Sequence, residues 1–92
     1  MSVSVRARGE DVWLRSKVDE EASADGILKA DEARDFSAGG SVKLRYAKIK
    51  APALEVTING RPAVVPTETV RGTNFVEMLI TKDDYERLLR QP

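Results

Sequence analysis

The chain contains no cysteine and no histidine. The first absence excludes a disulfide framework, a thiolate nucleophile and any cysteine-based zinc or iron–sulfur centre. The second removes the commonest metal ligand, the usual general base and any imidazole switch near neutral pH. Serine and threonine remain as nucleophiles but have no histidine beside them, so we expect a protein that is not an enzyme. Long apolar runs are missing as well. None reaches the roughly 18 residues that a membrane-crossing helix needs, and Met1 to Arg8 lacks the apolar stretch of a secretory signal. As written the chain reads as soluble. Met1 is either a natural start or, the reading we favour, the opening of a piece excised from a longer protein, in which case the missing signal says nothing about compartment. Charge of one sign is not in excess either. Fifteen lysines and arginines balance fifteen aspartates and glutamates, which removes any global attraction to polyanions or anionic membranes.

What is there points to one folded domain. With 92 residues, 41% hydrophobic and 33% charged, the chain can fill one core and not two, and is too apolar for its zero net charge to stay disordered. We therefore expect a single β-rich domain over residues 1–92. The charges are segregated: residues 1–17 are net positive, 18–36 net negative, and 37–50 carry Lys43, Arg45, Lys48 and Lys50 with no acid.

The apolar periodicity is mostly two. Val3, Val5 and Ala7 alternate with polar residues. Val12, Leu14, Ser16 and Val18 alternate with Trp13, Arg15 and Lys17, and Val42, Leu44 and Tyr46 with Lys43 and Arg45. Asp25-Gly26 reads as a turn before an Ile27 to Ala30 strand, Asp31 to Phe36 as extended chain in preference to a helical turn, and Ala38 to Ser41 as a break. The third amphipathic strand is expected to run on to Ala51 and stop at Pro52. Leu54 to Ile58, Asn59-Gly60 and Arg61 to Val65 read as a hairpin with a type I′ turn, placing Val56 opposite Ala63 and Leu54 opposite Val65. Phe75 to Ile80 is apolar on both faces and reads as a well-buried central or two-sided strand. Thr81-Lys82-Asp83-Asp84 reads as the capped start of a short helix whose shared face of Tyr85, Leu88 and Leu89 docks on the sheet or on a partner. The expected fold is mostly β, a small antiparallel sandwich or barrel of about six to seven strands with a short C-terminal helix.

Candidate chemistry is sparse. Asp19, Glu20, Glu21, Asp31 and Glu32 read as a solvated acidic segment and not as a carboxylate pair or a calcium loop. Gly39-Gly40-Ser41 lacks the lysine and spacing of a phosphate loop. No catalytic, cofactor or metal residue is assigned, and no cofactor is expected. Lys43, Arg45, Lys48 and Lys50 could form a basic strand for single-stranded nucleic acid, but the zero net charge and Tyr46 on the opposite strand face disfavour it. A lone tryptophan most often packs in a core. The period places Trp13 away from the Val12 and Leu14 face, so Trp13 with Arg15 and Lys17 is the expected contact face for a protein or envelope partner.

Trp13 in a strand, then Asp25-Gly26, Ile27 to Glu32 leading to Phe36, a Val42-Lys43-Leu44-Arg45 strand and Leu54 to Pro62 resemble, in that order, the C-terminal domain of RodZ-like bacterial proteins. Ala30-Asp31-Glu32 stands where that family has Ala-Gly-Glu. The resemblance runs from about Trp13 to Val65. It implies a non-enzymatic scaffold domain in the periplasm or cell envelope, attached to the membrane only through a parent chain concerned with rod shape, whose cytoplasmic part meets the MreB cytoskeleton.

Overall fold

A computed structural model describes residues 1–90. Among the described residues eight strands form: β1 Ser2–Ala7, β2 Val12–Val18, β3 Ala24–Leu28, β4 Ala33–Ser37, β5 Ser41–Ala47, β6 Leu54–Ile58, β7 Arg61–Pro62 and β8 Phe75–Thr81. They pair antiparallel in two four-stranded sheets, ordered β4-β1-β6-β7 and β3-β2-β5-β8. We call these sheets A and B. They do not close into a barrel, so the fold is a sandwich.

The period of two decides what lies between the sheets. Val3, Val5 and Ala7 of β1, Val12 and Leu14 of β2, Val42, Leu44 and Tyr46 of β5, and Val76, Met78 and Ile80 of β8 are buried. Full burial of an aliphatic side chain contributes about 1.5–3 kcal/mol, so these rows carry most of the stabilisation. Tyr46 is the largest buried side chain. Its hydroxyl donates to the Pro66 carbonyl at 2.7 Å, which pins the long β7–β8 connection over the core. Burial raises the pKa of this phenol, and the hydroxyl stays protonated.

Three corners are held by side-chain oxygens of residues in the left-handed backbone region. Asp19, Asp31 and Asn59 have φ of 50°, 63° and 50°, a conformation short polar side chains tolerate. The Asp19 carboxylate accepts from the amides of Gly39, Gly40 and Ser41 at 2.9, 2.7 and 2.9 Å, fastening the β4–β5 crossover. Those three donors hold it below the usual carboxylate pKa. Asp31 accepts from the Gly9 amide and Asn59 from the Ser2 amide. Gly60, at φ 80°, completes the two-residue β6–β7 turn.

Several expectations are corrected. Asp25 and Gly26 lie inside β3, paired with Arg15 and Leu14. Gly26 therefore faces inward, where a Cβ would sit 3.2 Å from the guanidinium of Arg34 on the edge strand β4. What matters there is room for Arg34, not turn geometry. Strand β5 ends at Ala47, and Lys48–Ala53 is a 3₁₀ turn with Pro52 inside it. The second hairpin arm is only Arg61–Pro62. Ala63 still bonds to Val56, but Val64 donates to Leu88 and Leu54 pairs with Ala7, so Leu54 never faces Val65. Strand β8 is an edge strand, with Leu79 56% exposed. The C-terminal helix is a single 3₁₀ turn, Tyr85–Leu88, without a side-chain cap. The Thr81 hydroxyl bonds the Asp84 side chain instead. Leu89 is buried and bridges to Ala63, so this turn docks on its own core.

Candidate interaction face

The two outer faces differ in chemistry. On sheet A, register sets Ser2 beside Ser37, Ser4 beside Asp35 and Thr57, and Arg6 beside Glu55. This face is small and polar. On sheet B three rows cross the strands. The first holds Ile27 beside Trp13 and Ala47 beside Phe75. The second runs Asp25, Arg15, Arg45, Glu77, and the third Lys17, Lys43, Leu79.

In the first row the short side chain of Ala47 leaves space above β5, and the Trp13 and Phe75 rings meet edge to face with centroids 5.4 Å apart at 67°. That geometry matches positive ring edge to negative ring face. The second row stacks upon it: the Arg15 guanidinium lies 5.4 Å from the Trp13 centroid and the Arg45 guanidinium 4.9 Å from that of Phe75. Both cations are held laterally. Arg15 donates to both Asp25 oxygens, at 2.6 and 3.0 Å, and Arg45 to Glu77 at 3.1 Å. The Arg15 bond keeps the Asp25 carboxyl below its ordinary pKa and raises that of Arg15. In the third row Lys43 reaches Glu77 at 3.4 Å, while Lys17 makes no ion pair among the described residues. Arg15, Lys17, Ser23, Lys43, Arg45 and Glu77 line one shallow concavity.

Fixed charges and partly covered rings on a sheet surface can make contacts with a partner. Among the described residues no cluster of three metal-capable side chains forms, and no helix is long and apolar enough to cross a membrane.

Trp13, Arg15 and Lys17 do share one face, outside the core, with Trp13 half-buried by Phe75 and Arg15. The core placement of a lone tryptophan does not hold. The basic strand also fails to assemble: Lys43 and Arg45 are on sheet B, but Lys48 and Lys50 sit on the 3₁₀ turn and Lys50 pairs with Glu10. Phe75, Glu77 and Asp25 were missed by sequence reasoning. Alternation shows which residues of one strand share a face, and the opposite phase of Tyr46 had placed Lys43 and Arg45 together, but nothing local says that β8 lies beside β5. Comparisons of the chain with protein-family models, with curated proteins and with solved structures find no significant match.

Proposed function

We propose that the domain is a non-enzymatic binding module that docks a protein or envelope component on the outer face of sheet B. The observation that carries this reading is the asymmetry of the two faces. Aromatic rings, stacked guanidiniums and the exposed Ile27 and Leu79 are gathered on sheet B, while sheet A presents serine, threonine and paired charges. Aromatic and arginine side chains are the groups that dominate interface energies.

The likeness to the RodZ C-terminal domain fits this reading and supplies its setting: an extracytoplasmic domain of a membrane-anchored cell-shape protein. One detail of the backbone supports the likeness. Asp31 stands where the family has glycine and adopts φ 63°, a conformation that glycine enters freely and aspartate tolerates. Single-stranded nucleic acid is the competing reading. It is weakened because one face of each ring is already occupied by a guanidinium, and base stacking needs open ring faces.

Trp13→Ala in the full-length parent tests the proposal. The isolated domain should keep its fold while the parent loses partner capture or disturbs cell shape. An unfolded domain, or undisturbed capture and shape with Trp13 removed, would sink it.

A further inference from the structure

We infer that the partner segment is acidic and extended, with an apolar residue followed by carboxylates at every second position; this rests on sheet B being the interaction face. The starting point is a feature that costs the free domain stability. Cross-strand register sets Arg15 directly opposite Arg45, and Lys17 directly opposite Lys43. Like charges in directly opposed positions repel, and here two such pairs lie in successive rows of neighbouring strands. Among the described residues two carboxylates reach this block of four cations: Asp25, bound by Arg15, and Glu77, shared by Arg45 and Lys43. Glu55 and Asp35 face outward from the other sheet. Among the described residues the block therefore keeps an excess of two positive charges around a concavity that Ser23 also lines.

The arrangement along the strands specifies the order of groups. The Trp13, Arg15 and Lys17 rows are two residues apart, about 6.6–6.8 Å. A partner chain running along β2 and β5 in extended form repeats its side chains at the same interval. An apolar side chain over Trp13, Ala47 and Phe75 then places the next two same-side positions over the arginine and the lysine rows. Carboxylates at those two positions neutralise the excess. Charge thus selects acidic residues, and the row spacing sets their period.

The test uses the capped peptide Gly-Leu-Ser-Glu-Ser-Glu-Gly and its counterpart with both glutamates replaced by glutamine, titrated into the intact domain while backbone amide resonances are followed. The glutamate peptide should perturb β2 and β5 and bind about tenfold tighter than the glutamine peptide at about 20 mM salt, the preference shrinking at about 300 mM as screening sets in. Lys17→Gln combined with Lys43→Gln should abolish the preference. Equal affinity of the two peptides overturns the inference, as does tighter binding of a ten-residue oligothymidylate or of vesicles with anionic headgroups. The two layers fail separately. If Trp13→Ala abolishes capture by the parent but the peptides bind equally, the face stands and the acidic chemistry falls. If the glutamate peptide binds yet capture survives Trp13→Ala, the face is not where the natural partner docks, and the inference falls with it.

Discussion

Trp13 and Phe75, 62 positions apart in the chain, meet edge to face on the outer surface of sheet B with ring centroids 5.4 Å apart. Neither ring is in the core, so their contact should add stability without being needed for folding. A double-mutant cycle of Trp13→Ala and Phe75→Ala should give a coupling of about 0.5–1.5 kcal/mol. By contrast, Leu14→Ala, one position along β2 but fully inside, should cost about 2–5 kcal/mol. Denaturant midpoints distinguish the two. A Trp13→Ala loss as large as that of Leu14→Ala would return Trp13 to the core.

The third row predicts a substitution that strengthens the fold. Lys17 faces Lys43 across the strands and has no acid of its own among the described residues. Lys17→Glu should raise the unfolding free energy by about 0.2–1 kcal/mol by turning a repulsive cross-strand pair into an attractive one. A lowered thermal midpoint at low salt would show that the lysines do not repel.

Asp19 predicts a pH dependence. Its folded pKa lies below the ordinary aspartate value because the amides of Ser41, Gly39 and Gly40 donate to it. A depressed folded pKa means that the unfolded chain takes up the proton first as pH falls. The stabilisation is therefore complete above the unfolded pKa, near 3.8, and is lost as pH drops below it toward the folded value. Asp19→Asn keeps one acceptor oxygen but carries no charge. It should be less stable at neutral pH and should show a shallower decline in thermal midpoint between about pH 4 and pH 2. Parallel curves for the two proteins would remove Asp19 from the account.

The β6–β7 turn predicts a backbone effect. Asn59 and Gly60 hold φ of 50° and 80° with open space around the glycine, so a new side chain meets strain and not a clash. Gly60→Val should cost about 1–3 kcal/mol, whereas Asn59→Gly should be tolerated by the backbone while losing the bond that the Ser2 amide donates to the Asn59 side chain. Chemical denaturation checks both, and an unchanged midpoint for Gly60→Val would contradict the turn assignment.

The sequence was legible wherever one strand sufficed. Val3-Ser4-Val5, Val12 to Val18 and Val42 to Tyr46 declare a buried face by period alone, and Asn59-Gly60 declares its turn by the φ angles it tolerates. Their faces were read correctly, and with them the shared placement of Trp13, Arg15 and Lys17. What failed depends on neighbours. Asp25-Gly26 has the composition of a turn, but pairing with Arg15 and Leu14 draws it into a strand. Phe75 to Ile80, apolar on both faces, suggests a well-buried central or two-sided strand. It is an edge strand whose outer apolar residues, Phe75 and Leu79, lie on the outer face of sheet B. The 3₁₀ turns at Lys48–Ala53 and Tyr85–Leu88 are short and lack propensity signals strong enough to separate them from strand or helix.

The most direct test of the central claim is site-specific photocrosslinking in cells, with the reactive group placed in the protein at Leu79 on sheet B or at Thr57 on sheet A. The account expects a discrete adduct from Leu79 that disappears when Trp13→Ala is added, and none from Thr57. An adduct from Thr57 alone, or one from Leu79 indifferent to Trp13→Ala, would contradict it.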